Sequence, residues 1–407
     1  MDILHCDLNN FYASVEQTLN PELQGKYIAV SGNPETRSGV ILAKNTAAKQ
    51  MGVLTGEPIW QAKQKCPELI CVPPHFEYYV HYSKRVRAIY ERYTDKVEGF
   101  GLDECWLDVT HSKIFGTPYE IAEKIRAEVK TETGLTISVG VSFTKTFAKL
   151  GSDLKKPDAT TVISRENYKQ VVWTLPVREM LLIGKHTEAK LNEMGIFTLG
   201  DLANGSVVAL KKRFGIVGER LYRAARGEDE EEVREAHSER DIKSVSHGTT
   251  TLRDMVTYED ANKVIFYLSD MVATRLRRYG YVGEVVHLYI RRNDLTYEGK
   301  QRKINATHIA DDIYHAALEL LKSLWRGEAD KPLRSLTVGV SGLYEVYLGA
   351  QMSLFDERKD KDEQLEYYLD RIRKKYGFNA ITRAGILDND LLSNKLFSEE
   401  DLLPFKR

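Results

Sequence analysis

His5-Cys6-Asp7-Leu8-Asn9-Asn10-Phe11-Tyr12 and Gly101-Leu102-Asp103-Glu104-Cys105-Trp106-Leu107-Asp108 are the stretches on which the reading of this chain turns. Each sets carboxylates at the end of a short apolar run, Ile3 to Cys6 ahead of Asp7 and Val97 to Leu102 ahead of Asp103. Such runs read as buried strands. Charged side chains are seldom placed at buried strand ends unless they bind something. If the two strands are neighbours, Asp7, Asp103 and Glu104 converge. Hard carboxylate oxygens suit divalent cations such as magnesium, and three of them point to two-metal phosphoryl chemistry. A single Asp at a strand end is more often a turn residue. It is the pair of clusters, with what surrounds them, that favours a metal site.

The chain of 407 residues is too long for one core, and two to four domains are expected. Its 58 Lys+Arg balance 59 Asp+Glu, so net charge gives no argument for nucleic acid, which must come from local patches. The four cysteines, Cys6, Cys66, Cys71 and Cys105, form no CxxC pair. A reducing cytoplasmic location therefore fits better than a disulfide scaffold or a zinc site. The N-terminus lacks a signal-peptide pattern, and no apolar run is long enough to span a bilayer, so no membrane partner is expected.

The pattern predicts an α/β (α+β) multidomain protein. Strands are expected over Tyr27 to Ser31, Val40 to Ala43 and Thr136 to Val141, and a helix over Tyr119 to Thr131. From Asn167 to Glu232 the chain reads as helical, with glycine turns at Ile183-Gly184 and Phe214 to Gly218. The acidic run Glu228 to Glu232, continuing to Arg240, reads as a solvated linker or helix end. Residues 241–348 alternate as βαββαβ, which predicts a small sheet with two helices on one face. Beyond Gly349 lies Gln351-Met352-Ser353-Leu354-Phe355, then a charged helix from Lys359 to Tyr376, read as a solvated tail.

Phe11-Tyr12, beside the first acidic cluster, could be ordinary core or a wall against which a sugar packs, excluding a ribose 2′-hydroxyl. Lys145 and Lys149 share a helical face, with Lys155 and Lys156 following. Alone they would be a solvated face; beside a metal site they become phosphate-binding candidates, as do Lys44 and Lys49. Ile183-Gly184-Lys185 to Leu191, then Met194-Gly195-Ile196, reads as a helix-hairpin-helix, whose helix N-terminus meets DNA phosphate without reading sequence. Strand alternation puts Ser244, Ser246 and Gly248 on one face. With Arg275, Arg277, Arg278, Arg291, Arg292, Arg302 and Lys303, that face could follow a DNA backbone.

Four blocks in order carry a resemblance: Asp7 to Glu16, Asp103 to Asp108, Val139-Gly140-Val141-Ser142 with Lys145 and Phe147-Ala148-Lys149, and Lys156-Pro157. Over nearly its whole length the chain resembles the Y-family, lesion-bypass DNA polymerases of bacteria. The resemblance implies a right hand: palm over 1–10 and 77–166, fingers over 11–76, thumb over 167–232, a linker over 233–240, a little finger over 241–348 and a tail over 349–407. It implies that Asp7, Asp103, Glu104 and the Leu8 carbonyl hold two Mg²⁺ ions. It makes Tyr12 a steric gate, and Phe11, Tyr12, Thr46, Lys49 and Lys156 nucleotide-binding residues. Gly184, Lys185, Ser244, Ser246 and Arg291 become DNA contacts. Gln351, Leu354 and Phe355 match the peptide that binds the bacterial sliding clamp. The implied partners are primed template DNA, a dNTP and the clamp, the implied state is a monomer, and the implied activity is low-fidelity translesion synthesis. A catalytically inactive relative that occupies primer termini, or a palm-fold nucleotidyl cyclase, are the competing readings. Four positions depart from the family: Thr46 and Lys49 stand where a Tyr-x-x-Arg unit is usual, Gly101 where Ser is common, and Leu182 where the thumb hairpin has Gly.

Overall fold

The computed structural model describes residues 1–33, 39–229, 231–238, 241–346, 357–377, 380–386 and 390–392. The chain divides near residue 238 into two units.

The first unit begins with β1 (Ile3–Leu8), α1 (Phe11–Leu19), β2 (Ile28–Ser31), β3 (Ile41–Lys44), α2 (Thr46–Gln50), α3 (Ile59–Lys65) and β4 (Ile70–Val72). It continues through α4 (Phe76–Tyr90), β5 (Val97–Phe100), β6 (Glu104–Asp108), α5 (Pro118–Thr133), β7 (Ile137–Ser142), α6 (Lys145–Leu154) and β8 (Thr160–Ile163). Its main sheet has the order β5-β6-β1-β7-β8. All six residues of β1 are buried, as befits the central strand, and β1 runs antiparallel to both β6 and β7. Helix α5 starts at a capping box of Thr117 and Glu120 with Pro118 in its first turn, and stops at Gly134 in the left-handed region (φ 74°). One glycine decides how closely α6 lies on the sheet. A Cβ on Gly140 of β7 would stand 1.8 Å from the Ala148 carbonyl oxygen, so only glycine lets α6 approach. A smaller sheet, β3-β2-β4, packs its own apolar core.

The expected strand Val97 to Leu102 is shorter than its apolar run. β5 ends at Phe100, and Gly101 turns the chain (φ 81°) into β6. Asp103 therefore lies in a hairpin turn and Glu104 opens the next strand, instead of both capping one strand. The turn also accounts for Gly101, because the left-handed backbone there favours glycine over Ser.

Helices α7 (Tyr168–Val172), α8 (Lys185–Glu193), α9 (Leu199–Asn204), α10 (Val207–Phe214) and α11 (Ile216–Ala225) follow as the helical stretch predicted, around an apolar cluster that includes Leu191, Leu202 and Leu221. The acidic run after them is not simply solvated. Thr146 donates a 2.8 Å hydrogen bond to Asp229, Glu231 lies 3.3 Å from Lys145, and Val233 is 2 % exposed against Ile3, Trp106 and Ala148. One apolar residue amid the charges is enough to fasten this segment to the main sheet.

The second unit contains β9 (Ser244–Met255), α12 (Tyr258–Tyr279), β10 (Tyr281–Arg292), β11 (Tyr297–Thr307), α13 (Ala310–Leu324) and β12 (Leu333–Glu345). They form one antiparallel sheet, β11-β10-β12-β9, in the βαββαβ order expected. The core includes Val245, Leu268, Leu288 and Leu336. A last helix, α14 (Glu357–Tyr376), is not a solvated tail. Its Arg373 is buried against Asp270 of α12 at 2.7 Å, and its Glu366 and Asp370 take Arg277 at 3.1 and 2.6 Å. The charged composition that suggested solvation is the docking surface itself.

Candidate active site

Strand alternation puts His5 and Asp7 on one face of β1, and Asn9 follows directly after its last residue. The antiparallel register sets Asp7 opposite Glu104, and the Leu8 N–H donates to the Asp103 carbonyl at 3.0 Å, closing the hairpin turn against β1. The three carboxylates and Leu8 thus border one cavity of about 410 Å³, together with Phe11, Tyr12, Lys44 and Lys156. An adjoining cavity of about 180 Å³ is lined by Asp7, Asn9, Asn10, Lys44, Thr46, Lys49, Lys156 and Pro157.

The carboxylates are treated differently. Asp7 is 6 % exposed; burial pushes its carboxyl up to about 6, even though the Lys156 ammonium, 2.7 Å away, pulls it down. Asp103 is raised by burial and then by the Glu104 charge, and has no cation within ion-pair distance among the described residues. Glu104 goes the other way. Burial acts against ionisation, but the His5 imidazole at 3.2 Å and the Lys149 ammonium hold its carboxyl at about 2. His5 is fully buried, and its other ring nitrogen is 2.8 Å from the Ser152 hydroxyl. Gly140 makes this possible, since the close approach of α6 brings Lys149 and Ser152 to the sheet.

His5, Ser152 and Asn9 are residues that the sequence reading passed over. The signal for one of them was available: position 5 shares the face of Asp7 on an alternating strand. Asn9 accepts the Asp158 N–H at 2.8 Å and so ties the Lys156-Pro157-Asp158 segment to the acidic strand.

Of the expected phosphate-binding lysines, two are committed elsewhere. Lys145 is 5 % exposed, 2.8 Å from Glu98, with Glu231 on its other side, and Lys149 serves Glu104. Lys156, Lys49 and Lys44 do reach the cavities. Helix α1 begins there too. Its N-cap Asn10 makes no capping bond but donates its side-chain amide to Thr46 at 2.9 Å, leaving the Phe11 and Tyr12 N–H groups without a side-chain cap. The Tyr12 ring is stacked on Tyr79 (centroids 4.2 Å apart, 10° between planes) and set edge-on to Phe76.

An all-oxygen donor set in which burial raises two of the carboxyls fits a hard divalent cation, whose charge would offset that burial. Among the described residues, no three His, Cys, Asp or Glu side chains are grouped closely enough to hold an ion as they stand. Lys156 rests on Asp7 and Lys149 on Glu104.

Away from this site, Gly184 caps α8 with no side-chain capping bond. Leu182 is 75 % exposed and adopts φ 73°, so the backbone keeps the conformation that suits glycine although the residue is Leu. In the second unit, Ser244 and Ser246 are exposed on the edge strand while Val245 faces the core. Arg291 is exposed on β10 and has no ion pair among the described residues. The other basic residues of that stretch are mostly engaged. Arg277 is inside the α14 cluster, Arg275 donates to the Ser246 carbonyl, and Arg292, Arg302 and Lys303 pair with Glu298, Glu319 and Glu284. Gln351, Leu354 and Phe355 lie outside the described residues.

The site is thus a sheet that gathers carboxylates from a central strand and a neighbouring hairpin, beside a cation-lined cavity and a braced aromatic ring. Residues 6–153 match the impB/mucB/samB family, 242–354 its C-terminal domain, and 182–229 the thumb domain of DNA polymerase iota. The chain is 44 % identical over 398 residues to DNA polymerase IV of Acetivibrio thermocellus, covering 97 % of this chain and 99 % of that one. It is 36 % identical over 390 residues to DNA polymerase IV 2 of Bacillus subtilis, covering 94 % and 93 %. Among solved structures, a Y-family polymerase chimera of Dbh and Dpo4 superposes with a TM-score of 0.76 at 26 % identity, over 85 % of this chain and all of that one. DinB from Sulfolobus solfataricus superposes with a TM-score of 0.55 at 26 % identity, over 84 % and 98 %. The chain belongs to the Y-family DNA polymerases, a family of DNA-directed DNA polymerases that carry out translesion synthesis.

Proposed function

We propose that this chain extends a primer 3′-hydroxyl on a DNA template by two-metal-ion phosphoryl transfer, at low fidelity and across damaged bases. The observation that carries the proposal is the Asp7–Glu104 register with Asp103 in the adjoining turn, at the mouth of a cavity lined by Tyr12 and Lys156. Asp7, Asp103, Glu104 and the Leu8 carbonyl would hold two Mg²⁺ ions. When bound, such ions acidify the primer hydroxyl and neutralise charge on the triphosphate. The chain's own groups do the rest. Lys156, Lys49, Thr46 and the Phe11 and Tyr12 N–H groups bind phosphate. The Tyr12 ring, braced by Tyr79 and Phe76, excludes a ribose 2′-hydroxyl. His5 and Lys149 keep Glu104 ionised where burial would otherwise protonate it.

The residue ranges assigned above to palm, fingers, thumb, linker, little finger and tail are part of the same reading. The N-terminus of α8 at Gly184 and Lys185 meets backbone phosphate, and Ser244, Ser246 and Arg291 follow a strand. Gln351, Leu354 and Phe355 dock on the sliding clamp as apolar anchors of an extended peptide. The chain acts as a monomer in the cytoplasm. Among the described residues no helix is long and apolar enough to cross a membrane.

Primer extension with Mg²⁺ tests the reading. Extension by the wild type, abolished in Asp103→Ala and by EDTA, is expected. Primer-terminus binding without extension would replace it with the inactive-relative reading, and cyclisation of a nucleoside triphosphate without a template would replace it with the cyclase.

A further inference from the structure

We infer that Lys44 is a phosphate-binding residue of the nucleotide site, shared between the two cavities and set in place by Thr55. The inference rests on the proposed polymerase function and adds a residue to it.

Lys44 ends β3, and its pairing with Ala29 of β2 fixes its backbone. Its side chain lines both the cavity that holds the three carboxylates and the adjoining one that holds Thr46 and Lys49. The smaller cavity is bordered by three lysines, Lys44, Lys49 and Lys156, against one carboxylate, Asp7, which Lys156 already engages at 2.7 Å. Among the described residues neither Lys44 nor Lys49 has a carboxylate within ion-pair distance. Burial, and then the neighbouring Lys49, hold the Lys44 ammonium below its usual range, so the two cations oppose one another across a common space. The Glu57 charge acts the other way, but it is itself paired with Lys65. Like charges brought together with no carboxylate in ion-pair distance mark a place for a multivalent anion. Because Lys44 borders both cavities, the anion it suits extends from the carboxylates towards Lys49, as a chain of phosphates does.

The position of Lys44 is built. Its ammonium donates to the Thr55 hydroxyl at 2.9 Å, and Thr55 itself borders the larger cavity. Thr55 sits in a turn flanked by Gly52 and Gly56, both at positive φ (83° and 85°). That turn is held by Glu57, whose carboxylate accepts the Leu54 N–H at 2.8 Å and pairs with Lys65. The Thr55 bond is neutral on one side, so a phosphate oxygen can replace or share it.

Two measurements on the full chain test the inference. The first is calorimetric titration of inorganic pyrophosphate into wild type, Lys44→Met, Lys44→Arg and Thr55→Val. The second is steady-state incorporation of one dNTP on primed DNA. Lys44→Met keeps the aliphatic stem and removes the charge. It should weaken pyrophosphate binding and raise the dNTP KM by about ten- to a hundredfold, as expected for loss of a charge-assisted hydrogen bond. Affinity for primed DNA should stay within about twofold of wild type, because the contact is made to the nucleotide. Lys44→Arg should recover most of the loss, and Thr55→Val should show a smaller version of it. Pyrophosphate affinity and KM both unchanged in a folded Lys44→Met would overturn the inference, as would equal effects of Lys44→Met and Thr55→Val on melting temperature with none on KM. Should Lys44→Met not fold, Lys44→Gln takes its place on the same criteria. A wild type that binds pyrophosphate through Lys44 but extends no primer would sink the polymerase reading and leave this one standing.

Discussion

Two groups of buried and half-buried acids in this molecule are neutralised in opposite ways. In the second unit Asp270, Glu366 and Asp370 each face a guanidinium: Arg373 lies 2.7 Å from Asp270, and Arg277 bridges Glu366 and Asp370. In the main sheet of the first unit Asp7 has one ammonium, Glu104 has a lysine and a histidine, and Asp103 has no partner among the described residues. Arginine forks fix a carboxylate bidentately and leave it nothing further to bind. Lysines are point charges that a dication can replace. The first arrangement fastens a helix; the second leaves oxygen available.

The comparison can be broken at its centre. Asp103→Asn keeps size and burial but removes the charge with no partner, and should lower primer-extension kcat by about a thousandfold or more, measured in single turnover with Mg²⁺. The corresponding cut in the other group is Arg373→Ala, which leaves Asp270, itself 2 % exposed, with only the longer Arg383 contact at 3.5 Å. It should destabilise the second unit by roughly 3–5 kcal/mol in thermal or urea denaturation, while kcat per folded molecule stays unchanged. A loss of kcat equal to that of Asp103→Asn would erase the distinction.

Asp7 sharpens it through pH. Its folded pKa, about 6, lies above the ordinary carboxylate value of 3.8, so the folded state binds the proton more tightly than the unfolded chain does. Ionising Asp7 therefore costs stability as pH rises from about 4 to about 6, and the full cost persists above that. In EDTA, Asp7→Asn should be more stable than wild type by roughly 1–3 kcal/mol near neutral pH, and the two should converge near pH 4. Because the proton and Mg²⁺ compete for Asp7, the Mg²⁺ concentration needed for half-maximal extension should rise as pH drops below about 6. A wild type at least as stable as the variant at neutral pH would contradict the account. The smallest effect is expected at Leu182. Leu182→Gly removes the left-handed cost of about 1 kcal/mol and should raise the melting temperature slightly with DNA binding retained, since the backbone already holds that conformation.

Much of this was legible in the residues. Apolar runs ending in acid located β1 and the hairpin, and the βαββαβ alternation located the second sheet, because period-2 and period-3.6 patterns are local properties. Lys145 was misread because nothing near it in sequence announces Glu98 or Glu231, its partners 47 and 86 residues away. The tail helix was misread for the same reason. Charges at Glu366, Asp370 and Arg373 look solvated until α12 supplies Asp270 and Arg277 opposite them.

The sequence by itself determined the chemistry available: three acids on or beside buried strands, an aromatic pair beside one of them, lysines in reach, and the order of blocks that places the chain in its family. The tertiary structure decided which of these groups meet. Register set Asp7 and His5 of β1 beside Glu104, Gly140 admitted α6 and so gave Glu104 its lysine, and the turn at Gly101 left Asp103 without a cation. Charge is written residue by residue along the chain. Whether a charge is matched or left open depends on distances and burial that long-range packing alone sets.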